Sequence, residues 1–432
     1  CQDRSGWRDG RSLVIEAIRN AFRIPDLRKK ILFTLAIIAL YRVGAHIPVP
    51  GVDPVAVKEL VTGAGSALGL LNLFAGGALE NFALLALGIM PYITATIIMQ
   101  LLQAVIPTIE RWSKEGEAGQ RKITQTARYM TLGIALMESI GLLTVFQAPA
   151  PQGLGVELDW LTRIVIVISL IAGTAAIMWM GELITQRGIG NGMSLIIFSS
   201  IVSRFPQTII SSLQVNAWLM LAILAISLFV VAAVVFMEGG QRRIPVQYAK
   251  RVVGRRVYGG VGTYIPLKVN GANVIPIIFA SSLLLFPSTI AKFFTNVAWL
   301  QKLSDTLAEG WIHIGLFATL IVFFAYFYTA LVFNPIDTAD NLRKNGGFIP
   351  GVRPGNPTAQ YIANVLNRIT LPGSLFLAAI AVGPQILFMQ TNNALVQAFG
   401  GTSILIMVGV ALETMRQLES QLQMRHYDGF FK

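Results

Sequence analysis

Two kinds of residue in this 432-residue chain could do chemistry: a carboxylate inside an apolar run, and paired cations between such runs. Glu138 is the one acid in the apolar stretch near 127–146. A carboxylate at membrane depth is costly, and it is usually functional or neutralised. The cations cluster as Arg242-Arg243, Lys250-Arg251 and Arg255-Arg256 within EGGQRRIPVQYAKRVVGRRVYGG, and as Arg353 within NPIDTADNLRKNGGFIPGVRPG. Such groups attract phosphates and acidic surfaces. Other reactive groups are sparse. A single Cys, at position 1, excludes an intrachain disulfide or a thiolate cluster, and His46, His313 and His426 lack metal-binding spacing. No HExxH, GxSxG or GxxxxGK[ST] motif is present. The chain is expected to hold no metal or cofactor, to be no enzyme, and to take energy from a partner or a gradient.

The scaffold that positions these residues is a membrane one. The chain is 54% hydrophobic and 13% charged, with a mean hydropathy of +0.62, whereas soluble domains carry about 25% charged residues. A crossing helix needs about 20 largely apolar residues. Stretches at 31–47, 81–107, 127–146, 160–181, 190–205, 215–237, 271–290 and 312–333 qualify as candidates. The uncharged run 369–412 is long enough for two more, divided by polar and glycine residues near 391–401. Of the 34 Lys and Arg, 28 fall in alternate connections or termini, which places both termini in the cytoplasm. Residues 1–14 lack an apolar h-region and read as no cleavable signal peptide.

A short repeat links two of the spans. Pro91-Tyr92-Ile93-Thr94-Ala95-Thr96 and Pro276-Ile277-Ile278-Phe279-Ala280-Ser281 both read Pro-x-Ile-x-Ala-Ser/Thr, five spans apart. An odd number of crossings per half puts the halves in opposite orientations, an inverted repeat with a pathway between them. The expected fold is all-α and polytopic, with ten transmembrane helices in two inverted five-helix halves. Residues 1–30 form a cytoplasmic segment, 31–205 the first half, 206–412 the second, and 413–432 a cytoplasmic tail. Within the second half, the loop 238–268 mixes basic pairs with β-branched residues and glycines and predicts an ordered hairpin. The loop 334–368 has Gly-Gly and Pro-Gly steps that predict tight turns holding Arg353 near a tip. Topology and lipid headgroups alone need few charges and no particular backbone. Defined turns carrying cations fit a docking surface for a large acidic or nucleic-acid-rich partner.

Taken together, the loops and spans resemble the SecY family, the protein-conducting channels of the Sec translocon. The resemblance rests on RIPDLRKKILFTL, YRVGAHIPVPG, ALGIMPYITATIIMQLL, GIGNGMSLIIF, GQRRIPVQYAKR, PLKVNGANVIPIIFASS, GGFIPGVRPG and GGTSILI, which tile residues from about 23 to about 416. It implies a channel that passes unfolded polypeptides across the bilayer and releases apolar segments sideways into it. Its waist would be a ring of apolar side chains that excludes ions by dewetting. On the family's motif positions that ring is Ile89, Ile93, Ile197, Ile278 and Ile406, with Met193 where relatives often carry Ile. The stretch 63–77, GAGSALGLLNLFAGG, matches the plug, a short re-entrant helix with Leu68, Leu70, Leu71 and Phe74 as its apolar surface. Glu138 stands where relatives often have Gln, in a lateral gate with Thr94, Thr96 and Asn270. Lys250, Arg251, Arg255 and Arg256 would be partner-docking cations, with Arg255 and Arg256 meeting ribosomal RNA, and Arg353 would engage the SecA motor. Implied partners are SecE, SecG, SecA, the ribosome, signal sequences, nascent chains and membrane lipids, in a bacterial plasma membrane.

The main rival is an ion-coupled secondary transporter, which shares the inverted halves. It predicts several ionisable residues converging at mid-membrane. Only Glu138 lies clearly within a span, while Arg42, Arg163, Glu182 and His313 sit near span ends, where snorkelling suffices.

Overall fold

Helix α1 (Pro25–Gly44) starts where the sequence places a proline in the first turn with the acid Asp26, and it ends with Arg42 in the last turn. The missing proline N–H would have no intrahelical partner there, and the two charges oppose the ends of the helix dipole. Its buried residues Leu27, Thr34 and Tyr41 recur every seven positions as one narrow stripe. Leu32, Leu35 and Leu40 on the remaining surface are exposed, as is Phe236 at 81% in a later helix. Apolar side chains facing outward along whole helices are what lipid, not water, accepts.

The computed structural model describes residues 24–50, 52, 57–58, 72, 74–147, 159–204, 206, 210, 217–248, 251–253, 256–258, 263–293, 299, 302, 306–307, 310–391 and 401–428. The chain divides into two units. One comprises Cys1–Ile209, Thr289–Val297 and Val410–Lys432; the other comprises Ile210–Ser288 and Ala298–Gly409.

The first unit holds α1, α2 (Met90–Val105), α3 (Pro107–Lys114), α4 (Glu117–Gln147), α5 (Trp160–Arg187) and α6 (Gly192–Val202). Helices α2 and α3 meet at a 100° bend. Ile106 makes the corner in an extended conformation, φ −98° and ψ 113°, because the ring of Pro107 bars the helical region to the residue before it. Across the corner, Met99 of α2, Ile109 of α3 and Ala127 of α4 form a cluster with Leu102, Trp112, Ile123 and Met130. A Cβ on Gly119 would lie 1.8 Å from the Trp112 carbonyl oxygen, so the chain can close here only with glycine.

The second unit holds α7 (Ala217–Gly239), strands β1 (Gln241–Tyr248), β2 (Arg251–Val253), β3 (Arg256–Tyr258) and β4 (Thr263–Lys268), then α8 (Ile275–Phe293), α9 (Trp311–Val332), α10 (Pro335–Lys344), β5 (Gly347–Phe348) and α11 (Asn356–Thr391). Helix α8 from Thr289 on, and α12 (Gly401–Asp428) from Val410 on, belong to the first unit. Strand β1 pairs antiparallel with β4 from Gln241↔Lys268 to Val246↔Thr263, and β2 pairs with β3. The expected hairpin therefore forms. The sequence reading missed β5, which comes from the other basic loop and pairs with β1 through Gln247↔Phe348 and Tyr248↔Gly347. Two loops read as separate are thus one three-stranded sheet, ordered β4-β1-β5. Alternation along β1 buries Ile244 and Val246. They pack with Leu267, Ile349 and one face of α11, Ile362 and Leu366.

Every predicted apolar stretch coincides with a helix, but several boundaries move. The stretch 81–107 becomes helical only at Met90. Phe82 and Gly88 take positive φ, 41° and 60°, and the run is pinned to residues 47–49 by Val49 N–H to Phe82 O and Leu84 N–H to Ile47 O. The stretch from 369 is helical already from Asn356, since polar residues end a hydrophobic run without ending a helix. Within 334–368, Asn334 caps the Ile336 N–H at 3.0 Å and Pro335 follows in the first turn, so α10 forms where only turns were expected. Among the described residues, Trp160–Arg187, Trp311–Lys344 and Asn356–Ile386 are each long and apolar enough to cross a membrane, and the bent pair α2–α3 makes up to four.

Candidate functional site

The GIGNG motif at 188–192 builds a tight junction between α5 and α6. Gly190 adopts φ 85°. Asn191 then caps α6, its Oδ1 accepting from Met193 N–H at 3.1 Å. The Thr185 hydroxyl accepts from Gly192 N–H at 2.9 Å. A Cβ on Gly192 would lie 1.9 Å from the Gly181 carbonyl oxygen, and one on Gly181 would meet the Met193 sulfur at 2.3 Å. Small residues let the two helices touch, as in membrane packing generally. The contact also commits Met193, whose thioether lies on α5.

A second junction ties the turns before α2 to α1 and α6. Gly76 and Gly77 have φ 65° and 87°. The Tyr41 hydroxyl donates to the Ala75 carbonyl at 3.3 Å and shares a 2.7 Å hydrogen bond with Ser200. Arg42 donates to the Gly76 carbonyl at 3.1 Å, to the Ser199 hydroxyl at 3.2 Å and to the Ser199 carbonyl. Arg42 is therefore not a snorkelling cation, as its place near a span end had implied. Just beyond, the Glu80 carboxylate accepts from Arg204 at 3.0 Å and from Asn72 at 3.2 Å, and it pairs with Lys58 at 3.5 Å. Phe74, of the expected plug surface, is buried. Leu68, Leu70 and Leu71 lie outside the described residues.

Of the expected waist residues, Ile89 is the residue preceding α2 and Ile93 lies one turn inside it, both buried. Ile197 is buried on α6, and in the second unit Ile406 is buried on α12. Ile278 of α8 and Met193 are half-buried. Ile93 and Ile278 hold equivalent places: each lies two residues after a proline that is the second residue of its helix. The likeness extends beyond the six repeated letters. Three residues before each proline stands a positive-φ residue, Gly88 at 60° and Asn273 at 51°. Thr96 and Ser281 each donate to a carbonyl three residues back, Ile93 O at 2.8 Å and Ile278 O at 2.9 Å.

Of the polar residues expected at the gate, Thr94, Thr96 and Asn270 have partners in their own units. Thr94 donates to the Met90 carbonyl at 3.0 Å. The Asn270 amide donates to the Glu238 carboxylate at 2.6 Å and to the Asn273 carbonyl at 3.1 Å. Glu138 is half-buried on α4, and no ion pair to it is present among the described residues. Glu182, the other carboxylate near a span, is held by Arg128 through two hydrogen bonds of 2.8 and 2.5 Å.

Of the expected docking cations, Arg353 is exposed between Gly351 at φ 83° and Gly355 at φ 104°, and its carbonyl accepts from Thr358 at 2.8 Å. Arg251 stands opposite Tyr258, and Arg256 opposite Val253, in the β2–β3 ladder. Lys250 and Arg255 lie outside the described residues. Arg243 reaches over the Tyr264 ring of the neighbouring strand at 4.8 Å, a cation–π contact that steadies the sheet at its basic end.

The family model described as SecY matches residues 83–415. This chain belongs to the SecY family. It is 51% identical over 439 residues to the Protein translocase subunit SecY of Streptomyces scabiei, covering 97% of this chain and 100% of that one. The corresponding subunit of Mycobacterium tuberculosis strain H37Rv is 48% identical over 444 residues, with the same coverage. Among solved structures, one described as a protein conducting channel aligns with a TM-score of 0.62 at 18% identity, over 93% of this chain and 96% of that one. A SecY structure described by the role of its plug domain aligns with a TM-score of 0.65 at 18% identity, with equal coverage. The fold is thus that of the SecY channels.

Within that SecY fold, sequence reasoning overlooked Glu80, Arg204 and Glu238. Each signal was present. Glu80 follows a Gly-Gly step and precedes an apolar run, Arg204 closes the fifth apolar stretch, and Glu238 precedes the Gly-Gly that opens the basic loop. What the sequence does not carry is which distant group each one meets.

Proposed function

We propose that this chain is the channel subunit of a protein translocase, conducting unfolded secretory polypeptides across a bacterial plasma membrane and releasing apolar segments laterally. The reading is carried by the paired isoleucines: Ile93 and Ile278 hold the same position in two helix starts of like construction, one in each unit. A polypeptide of any sequence needs a lining without fixed charge or fixed hydrogen bonds, and branched aliphatic side chains supply one that still resists ions. The ring would comprise these two with Ile89, Ile197 and Ile406. Met193 would join it only by leaving its seat on Gly181. Residues 63–77 would plug the pore from below the ring. The halves 31–205 and 206–412 would part at a gate near Thr94, Thr96, Glu138 and Asn270, with both termini cytoplasmic.

The sheet that unites the basic loops favours one composite docking face over two separate ones. Arg251 and Arg256 with Lys250 and Arg255 would meet ribosomal RNA through phosphates, and Arg353 would engage SecA. SecE, SecG, signal sequences and lipids would complete the assembly. An ion-coupled transporter is not favoured, because Glu182 is already neutralised by Arg128 and Glu138 alone is a thin coupling site.

The test is crosslinking. Cysteines placed at Ile93 and Ile278 should both capture an arrested secretory chain, while a cysteine at the outward Leu32 should not. Capture at neither isoleucine would refute the pathway.

A further inference from the structure

The carboxylate of Glu238 belongs to neither the ring nor the docking turns, and it occupies a costly place. It stands in the last turn of α7, which has no basic residue, where the negative end of the helix dipole opposes a carboxylate. It is also only 5% exposed, so loss of hydration adds to that cost. What meets it is the side-chain amide of Asn270, equally buried, at 2.6 Å. The same amide nitrogen donates to the Asn273 carbonyl at 3.1 Å. An amide nitrogen carries two hydrogens. Both are spent inside the second unit, and Asn270 has none left to donate across a gate.

The pair spans the root of the sheet. Glu238 precedes β1 by three residues and Asn270 follows β4 by two, and Val269 N–H extends the ladder to Gly240 O at 3.0 Å. Helix α11 presses on the same root, since a Cβ on Gly373 would lie 2.5 Å from the Val269 carbonyl oxygen. Beyond Asn270 the chain passes through Asn273 at φ 51° and enters α8 at Ile275. We infer that Glu238 is a positioning residue, a strut that fixes the entry of α8 to the root of the sheet and so sets where Ile278 stands. The inference rests on the reading of a gate near Asn270, and it gives that residue a different part there. Asn270 steadies the helix through Glu238 and the Asn273 carbonyl, and its amide does not bond across the seam. A helix anchored at its entry costs more to displace, so only a signal sequence that favours the open form strongly enough shifts the equilibrium. Loss of the strut lowers that threshold, and a poor signal sequence gains most.

The experiment uses the full chain in export-competent membrane vesicles. It reads the export of a substrate with a weakened signal sequence as a ratio to the same substrate with an intact one. Glu238→Gln keeps an acceptor within reach of Asn270 and should keep the parent ratio. Glu238→Asn is one methylene shorter, draws the acceptor away and should raise the ratio several-fold. Asn270→Ala should raise it as much, and Glu238→Asn combined with Asn270→Ala should raise it no further, because both remove the same contact. Val234→Ala, one turn earlier on α7 at a residue 1% exposed, removes packing from the same helix and leaves the pair in place. It should lower the unfolding temperature and leave the ratio alone. An unchanged ratio in Glu238→Asn would overturn the strut. So would a raised ratio in Val234→Ala, which would lay the effect on a loosened fold. A further rise in the double variant would show Asn270 acting at the seam by itself and overturn the proposal as well. Failure of the gate reading looks different: if a cysteine at Thr94 captures no signal sequence in the otherwise unaltered chain, that reading falls and takes the strut with it, whatever the ratios.

Discussion

The starts of α2 and α8 share a backbone and differ in what leads into them. Each has a positive-φ residue three before a proline, an isoleucine two after it, a fully buried alanine, Ala95 or Ala280, and a hydroxyl bonded three residues back. The approach to α2 is a run of turns held by backbone bonds to residues 47–49 and by side chains from elsewhere in the unit: Tyr41, Arg42, Arg204 and Lys58. The approach to α8 is a strand held by backbone, with β4 laddered along β1 as far as Lys268, and then by the Asn270–Glu238 pair. Side-chain ties are separate contacts that can break one at a time, each at a cost that rises with its burial. A ladder opens only as a unit. One construction is thus mounted largely on side-chain ties in the first unit and on a backbone ladder in the second.

The comparison breaks first at the positive-φ residues. Gly88→Val forces a β-branched residue to φ 60° and brings its Cβ to 3.0 Å from Ala75 Cα. Left-handed strain and overlap together should destabilise by about 3 kcal/mol. Asn273→Val meets the strain alone, about 1–2 kcal/mol. Thermal unfolding of the detergent-solubilised protein should rank Gly88→Val well below Asn273→Val. The reverse order would show that the contact between residue 88 and Ala75 relaxes at little cost, so that overlap adds nothing to the strain.

Next in size is the tie peculiar to the second unit. Glu238→Leu removes one of the two acceptors of a buried Asn270 amide and should cost about 1–3 kcal/mol. Glu238→Gln keeps an acceptor and should cost less. If both variants melt like the parent, the pair is incidental and the ladder alone carries α8. A smaller effect belongs to the sheet's third strand. A side chain on Gly347 would meet the Tyr248 ring at 3.0 Å, so Gly347→Val should loosen β5 by about 1 kcal/mol. Hydrogen exchange at Gln247 and Tyr248 should then quicken several-fold while β4 amides keep their protection.

What could be read from sequence follows from the range of the forces involved. The apolar runs and the hairpin between Gln241 and Lys268 are local, and the sequence patterns located them; the corner at Pro107 and the caps Asn191 and Asn334 are local too, yet the sequence reading passed over them. Where helices start was less legible. The turns before Met90 are as apolar as a span, and only their ties to residues 47–49 keep them from continuing the helix. For the site, motif position named residues but not their company. Nothing near Asn270 in sequence points to Glu238, 32 residues earlier, and nothing near Glu80 points to Arg204. Likewise Arg42 reads as a lone cation at a span end until Gly76 and Ser199 are brought to it.

The smallest expected effect tests whether the shared hydroxyls serve the fold or the gate. Thr96 and Ser281 donate to carbonyls of their own helices, and such back-bonding adds little and can slightly bend a helix. Thr96→Val and Ser281→Ala should each change stability by less than about 0.5 kcal/mol. If Thr96 also lines a seam that signal sequences enter, Thr96→Val should alter the export of weakened signal sequences while its unfolding temperature stays put. Ser281→Ala, outside the expected gate set, should alter neither. A change in both variants alike would mean that the hydroxyls shape the two helix starts in common, and Thr96 would lose its claim to a role of its own.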